Sequence, residues 1–200
     1  MKKKLKKGFT LVELVIVIAV IAILSAVLIP TFGNVIGKAK ESAAKSEVSN
    51  TITQYTTNQA SNELPSDLPK EGYIILFKSE QTVAQKSGTV NYDDSYKKDN
   101  ISYVFSYNNG KLETVEVKTA VIKTITSGTP AVSVNVLELT IGKENTTVNL
   151  KIDGLTVNDD NTWTAKGTVV LDGKVVESTG ENNTTIKTLK GKVVLLTVVA

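Results

Sequence analysis

Hydrophobic and polar positions divide the chain into three parts: an unbroken apolar run, an amphipathic stretch and a long region of short alternating segments. The apolar run covers residues 9–29 (FTLVELVIVIAVIAILSAVLI) and contains a single charged residue, Glu13. A helix of this length is roughly 31 Å long, which matches the hydrocarbon thickness of a bilayer. The pattern therefore predicts a transmembrane helix over residues 9–29.

A secretory signal or a plain signal anchor could also produce an apolar run after a basic start. The run is longer than the core of an ordinary secretory signal, and no small-x-small cleavage site follows it. The residues that do follow, Pro30-Thr31-Phe32-Gly33, are a poor substitute for one. Periodicity alone leaves the signal anchor open.

Beyond the apolar run, the pattern predicts that the helix continues to about Gln59. Apolar residues recur close to every 3.6 positions, at Phe32, Val35, Ile36, Ala39, Ala43, Val48, Ile52 and Tyr55. We expect this stripe to lie on a sheet and Pro30 to kink the helix near the membrane boundary. Ala22 and Ala26 have the small-xxx-small spacing that lets membrane helices pack closely.

The remaining sequence reads almost entirely as β-strand. The predicted strands are Tyr73–Lys78, Ile101–Tyr107, Lys111–Lys118, Ala120–Thr126, Val132–Thr140, Thr147–Ile152, Thr162–Ala165, Gly167–Leu171, Lys174–Glu177, Thr184–Leu189 and Val193–Val199. Asn108-Asn109-Gly110 and Asp172-Gly173 predict tight hairpin turns. The fold class is therefore α+β: a long helix packed on an antiparallel sheet.

The number of strands exceeds what one small sheet needs. We expect a leader over residues 1–8, a membrane helix over 9–29, an amphipathic helix over 30–60 and a β head over 61–128. A break at Gly128-Thr129-Pro130 then suggests a second, β-sandwich-like module over residues 129–200.

The net charge of +3 is concentrated in the leader. Lys2, Lys3, Lys4, Lys6 and Lys7 lie in the first seven residues, and the rest of the chain has 18 lysines against 20 acids, a net charge of −2. A lysine cluster beside an apolar span is typical of a cytoplasmic flank. The charge therefore predicts orientation in a membrane, and no nucleic-acid partner is implied.

Composition argues against catalysis and against a metal or other cofactor. The chain has no Cys and no His, which removes thiolate ligands and the commonest general base and metal ligand. Two groups of acids could hold a hard cation: Asp93, Asp94 and Asp99, and Asp153, Asp159 and Asp160. Neither follows a known ligand spacing, so we interpret them as solvated turns. Trp163 is interpreted as a core or sheet-face residue.

The segment Lys6-Lys7-Gly8-Phe9-Thr10-Leu11-Val12-Glu13-Leu14 resembles the leader of type IV pilins and pseudopilins. That resemblance implies cleavage by a prepilin peptidase between Gly8 and Phe9, followed by N-methylation of Phe9. It also places Glu13 fifth in the mature chain and Pro30 twenty-second, where many members of the family have an acid and a kinking proline. The resemblance covers about 35 residues.

By this resemblance, Glu13 would pair with the Phe9 amine of a neighbouring subunit, since a carboxylate inside a bilayer is costly when alone. A simpler alternative is that Glu13 merely snorkels to the interface. The implied partners are prepilin peptidase, other pilin subunits, membrane lipid and an inner-membrane assembly platform with its motor ATPase. We expect a single-pass precursor whose head lies outside the cytoplasmic membrane and which assembles into a surface filament. The alternative function is a signal-anchored surface β-domain that binds a ligand without polymerising.

Overall fold

The described part of the chain forms one long helix and eleven strands, and the chain divides into two compact units. The computed structural model describes residues 8–60, 68–85, 96–127, 130–153, 155–158, 163–180, 183 and 185–199. The first unit ends at Ala43 and the second extends from Ala44. Helix α1 (Leu11–Ala60) begins in the first unit, where it is the only helix among the described residues, and it continues into the second unit. The helix ends at Ala60, one residue beyond the predicted end at about Gln59.

In the second unit, α1 contributes one face to the hydrophobic core. Ala44, Val48 and Tyr55 are buried, and Ile52 packs against them from a half-buried position. The predicted stripe was longer than this. In the first unit Phe32, Val35 and Ile36 stay more than half exposed, because the core is built from residues that follow Ala43.

Eleven strands make up three antiparallel sheets. They are β1 (Glu71–Gln85), β2 (Ile101–Asn108), β3 (Lys111–Val115), β4 (Val117–Ser127), β5 (Val132–Ile141), β6 (Thr146–Lys151), β7 (Thr156–Val157), β8 (Trp163–Thr164), β9 (Thr168–Val170), β10 (Lys174–Thr179) and β11 (Thr185–Leu196). A short 3-10 helix, Lys98–Asn100, precedes β2. The α+β class is confirmed.

The largest sheet has the order β10-β11-β1-β2-β3, and β9 also pairs with β11. Four consecutive residues of β1 (residues 74–77) and four of β11 (residues 193–196) are buried. Successive side chains of a strand point to opposite faces, so both faces of the sheet are covered at its centre.

The extra β element is the three-stranded sheet β4-β5-β6, which spans Val117–Lys151. Strand β11, from the carboxyl-terminal part, pairs with β1 along Tyr73–Leu76 and Gln81–Gln85, and β4 pairs with β5 across residue 129. Strand pairing therefore joins residues on both sides of that position. The division into two modules near residue 129 stays a prediction.

Strand β11 is a single strand of twelve residues, where the pattern predicted two that were separated near Gly191. The glycine is needed for close approach. A Cβ at residue 191 would lie 2.5 Å from Asp172 Oδ1. The Asp172 carboxylate accepts the backbone N–H groups of Lys192, at 2.9 Å from Oδ2, and of Val193, at 2.8 Å from Oδ1. Gly191 therefore lets the turn after β9 clamp onto β11.

Two local predictions are confirmed. Trp163 is buried and meets Tyr55 edge-on, with ring centroids 6.2 Å apart. The β2–β3 hairpin turns at Asn109 (φ 47°) and Gly110 (φ 88°), the left-handed conformations that an Asn-Gly turn adopts. Between β3 and β4 the chain leaves the strand at Glu116 rather than at Thr119.

Candidate functional site

The candidate site is the amino-terminal end of α1, where the predicted cleavage and pairing residues lie. Phe9 is 91% exposed, and Gly8 has no atom within 4 Å of where a Cβ would stand. The backbone on both sides of the Gly8–Phe9 bond is therefore outside any packed structure of the described chain. An extended, uncrowded backbone is what a peptidase groove requires.

Thr10 and Glu13 hold the first turn of α1 in a capping box. Glu13 Oε2 accepts the backbone N–H of Thr10 at 2.8 Å, and Thr10 Oγ1 accepts the backbone N–H of Glu13 at 3.3 Å. This exchange satisfies two backbone donors that a helix start otherwise leaves unpaired. The helix begins at Leu11, so Thr10 is its N-cap and Glu13 its third residue.

A third hydrogen bond fixes the carboxylate more tightly. The Thr10 hydroxyl donates to Glu13 Oε2 at 2.7 Å. All three Thr10–Glu13 bonds that the structure describes leave Oε1 of the carboxylate uninvolved. The carboxylate thus has one oxygen bound within its own chain and one oriented away from that contact.

The role of Thr10 was missed in the sequence, although its signal was present. The pattern Thr10-Leu11-Val12-Glu13 is the S/T-x-x-E signature of a capping box ahead of an apolar run. A role was predicted for Glu13, as a charge within a membrane helix, and none was predicted for Thr10, whose hydroxyl binds it.

The apolar side chains of this segment have no covering partner within the described first unit. From Phe9 to Ile29, the large apolar side chains are exposed by 48% to 91%. Helix α1 is long and apolar enough to cross a membrane by length and composition. Ala22 and Ala26 are exposed on the same surface. Their part in helix packing stays a prediction.

Pro30 lies inside α1, which continues through it. Proline has no N–H, so the carbonyl of Ala26 loses its usual donor. Next to it, the Thr31 hydroxyl donates to the carbonyl of Val27 at 2.8 Å. Such side-chain bonds to the preceding turn favour helix bending. A kink at Pro30 stays a prediction.

Of the six acids that could hold a cation, the structure describes Asp99 and Asp153. Asp153 accepts both the backbone N–H and the side-chain amide of Asn135, at 2.6 Å and 3.1 Å, and fastens the chain after β6 to β5. Asp99 lies in the 3-10 helix, while Asp93, Asp94, Asp159 and Asp160 lie outside the described residues. No group of acids in the described part of the chain has the arrangement of a metal site.

Comparison with known proteins supports the reading of the amino terminus. The family described as the prokaryotic N-terminal methylation motif matches residues 3–29. Over 40 residues the chain is 52% identical to sequences of the type IV major fimbrial protein FimA of Dichelobacter nodosus. This stretch is 20% of the chain and 25% to 26% of those relatives. The chain therefore spans about a quarter of the length of the curated relatives it matches. No solved structure matches the chain.

Proposed function

Since the amino-terminal segment is that of the type IV pilin family, we propose that this chain is a structural subunit of a type IV pilus or pseudopilus. A prepilin peptidase cuts between Gly8 and Phe9 and methylates the Phe9 amine. The trimmed subunit waits in the cytoplasmic membrane with its β head outside, and an assembly platform with its motor ATPase moves it into a filament.

The observation that carries the proposal is the hydrogen bonding of the Glu13 carboxylate. Thr10 holds Oε2 by two hydrogen bonds, which partly compensates a charge that is expensive inside a membrane. The other oxygen can accept the methylated amine of Phe9 from a neighbouring subunit. Both charges are then neutralised in the filament, and mismatched register would leave them unpaired.

The exposed apolar surface of the first unit agrees with the same proposal. A bilayer covers it in the precursor, and the helices of neighbouring subunits cover it in the filament. Small side chains at Ala22 and Ala26 allow close approach of those helices. The adhesin-like alternative also needs a membrane anchor, but it gives no role to Gly8 or Glu13.

Filament assembly by Glu13 variants tests the proposal. In cells that contain a prepilin peptidase and the assembly machine, Glu13→Ala should leave the protein in the membrane fraction and remove sheared filaments. Glu47→Ala, an exposed acid on the same helix, is the matched control and should assemble normally. Normal filament yield from Glu13→Ala would refute the charge-pair mechanism.

A further inference from the structure

A polar recess of about 410 Å³ lies on the β1–β3 end of the largest sheet. Strand pairing aligns its side chains in two rows across the three strands. Residues 71, 108 and 111 form one row, and residues 73, 106 and 113 form the other. Members of both rows therefore share one face of the sheet. The side chains that form it are Glu71, Tyr73, Ser106, Asn108, Lys111 and Glu113.

Three paired strands give this recess a rigid floor. Neighbouring strands lie about 4.8 Å apart and alternate side chains about 7 Å apart, so the two rows cover roughly 10 by 7 Å. That area matches one or two pyranose rings. Next to the recess, the backbone N–H of Asn109 in the β2–β3 turn donates to the carbonyl of Lys70 at 2.8 Å and ties that turn to the chain before β1.

The charges of the recess nearly cancel. Lys111 Nζ lies 2.6 Å from Glu113 Oε1, which forms an exposed ion pair. The hydrogen bond and charge of Lys111 lower the pKa of Glu113, and the same contact raises the pKa of Lys111. The pair therefore stays ionised at neutral pH, and Glu71 adds a second carboxylate side chain to the lining.

The lining mixes hydrogen-bond donors and acceptors with an aromatic ring. Carboxylates accept, the lysine donates, and the hydroxyls and the amide do both. The ring of Tyr73 is half-buried and packs against the core from this face. A polyhydroxylated ligand matches such a lining, because each of its hydroxyls is also donor and acceptor and its C–H faces are apolar.

We propose that this recess binds a neutral saccharide. A phosphate or another anion is disfavoured by Glu71, and an apolar ligand would leave polar groups unpaired. Glu71 and Asn108, neighbours in one row, would bind adjacent hydroxyls, while Tyr73 would contact a C–H face of the ring. The inference does not depend on polymerisation, since all six residues belong to the second unit of a single subunit.

Saccharide binding by the full chain tests the inference. The probes are lactose, maltose and chitotriose, each neutral, and sialyllactose as the anionic counterpart of lactose. The full chain in lipid nanodiscs is titrated with each sugar up to about 20 mM, a range that covers dissociation constants of about 1 mM, or −4.1 kcal/mol. Saturation-transfer NMR detects the contact. We expect at least one neutral sugar to bind, and sialyllactose to bind about tenfold more weakly than lactose if lactose is that sugar.

Variants of the lining residues test whether a saccharide binds in this recess. Asn108→Ala should weaken binding of the neutral sugar about tenfold, and Glu71→Gln should narrow the difference between the neutral and the anionic sugar. Glu144→Gln, an exposed acid on the turn between β5 and β6, is the control and should bind like the unchanged chain.

Three results would overturn the inference: no contact with any neutral sugar, equal binding by Asn108→Ala, or loss of filaments in these variants without any sugar binding. The last would assign the recess to packing between subunits. Normal Glu13-dependent assembly with no sugar binding would refute this inference alone, and sugar binding by a chain that never assembles would refute the proposed function alone.

Discussion

The hydroxyl of Thr10 donates a 2.7 Å hydrogen bond to Oε2 of Glu13, which lies three residues further along the chain in the first turn of α1. The same carboxylate oxygen accepts the backbone N–H of Thr10. A single acid thus caps its own helix through one oxygen, and under the proposed function its second oxygen would accept the amine of a neighbouring subunit. The two tasks are compatible, because a bond to Oε1 leaves the capping contacts through Oε2 in place.

Removing the Thr10 hydroxyl should weaken the start of α1. Thr10→Val keeps the shape of the side chain and loses the cap, which is worth about 1 kcal/mol. Hydrogen exchange of the Glu13 amide, which donates to the Thr10 hydroxyl, should speed up about fivefold in nanodiscs, since 1 kcal/mol corresponds to that factor. Thr10→Ser keeps the hydroxyl and should exchange like the unchanged chain. Unaltered protection in Thr10→Val would mean that the capping box contributes nothing.

Adding a methyl group at Gly191 should destabilise the second unit. The Cβ of Gly191→Ala would clash with the Val170 side chain and meet Asp172 Oδ1 at 2.5 Å, which would force β9 and the turn after it away from β11. Overpacking of this kind costs about 1 to 3 kcal/mol. The control is Gly33→Ala, where no atom lies within 4 Å of the added carbon. Thermal unfolding followed by near-ultraviolet circular dichroism distinguishes the two, and an unchanged midpoint for Gly191→Ala would contradict the clamp.

Tyr55 and Trp163 should be energetically coupled. Their edge-to-face contact joins α1 to β8, and such pairs contribute about 0.5 to 1.5 kcal/mol beyond buried area. A double-mutant cycle of Tyr55→Leu and Trp163→Leu measures this coupling from the free energies of unfolding. A coupling energy of zero would show that the helix and the strand pack independently at this point.

The Lys111–Glu113 pair predicts how stability changes in acid. Lys111 lowers the pKa of Glu113 by its hydrogen bond and then by its charge, and the charge of Lys45 adds to this. The contribution to stability is present above the ordinary carboxyl pKa of about 4.3 and is lost as the pH falls through the lower folded value. Because Glu113 raises the pKa of Lys111, the alkaline loss comes only above the ordinary lysine pKa of about 10.4.

The measurement is the unfolding temperature between pH 3 and pH 8, a range that brackets about 4.3. Glu113→Gln should show a smaller fall in acid than the unchanged chain, and Glu144→Gln should show the same fall. The effect is small because both partners are exposed and screened by solvent. Identical acid profiles for the chain and Glu113→Gln would contradict the assignment.

The sequence predicted local structure well and long-range pairing poorly. The long helix, the Asn109-Gly110 turn and the buried Trp163 follow from periodicity and turn chemistry, which act over a few residues. The pairing of β11 with β1 depends on contacts between residues more than a hundred positions apart, and local periodicity gives no sign of such contacts. Gly191 was interpreted as a break between two strands, because the reason for a glycine there lies in Val170 and Asp172, about twenty positions earlier in the chain.

In the candidate site, too, local features could be predicted from the sequence and long-range ones could not. Gly8, Phe9 and Glu13 stood out because their spacing is local and specific. The recess on β1–β3 could not be predicted, because strand register alone brings Glu71 and Lys111 to one face. The Thr10 cap is a local feature as well, because Thr10-Leu11-Val12-Glu13 has the S/T-x-x-E spacing of a capping box.

The central claim is processing at Gly8–Phe9, and the mature amino terminus tests it most directly. Mass spectrometry of the membrane and sheared-surface fractions should find a peptide that begins at N-methyl Phe9, while Gly8→Val, which crowds the scissile backbone, should retain its leader. A chain with an intact leader, or one cut beyond Pro30, would contradict the account.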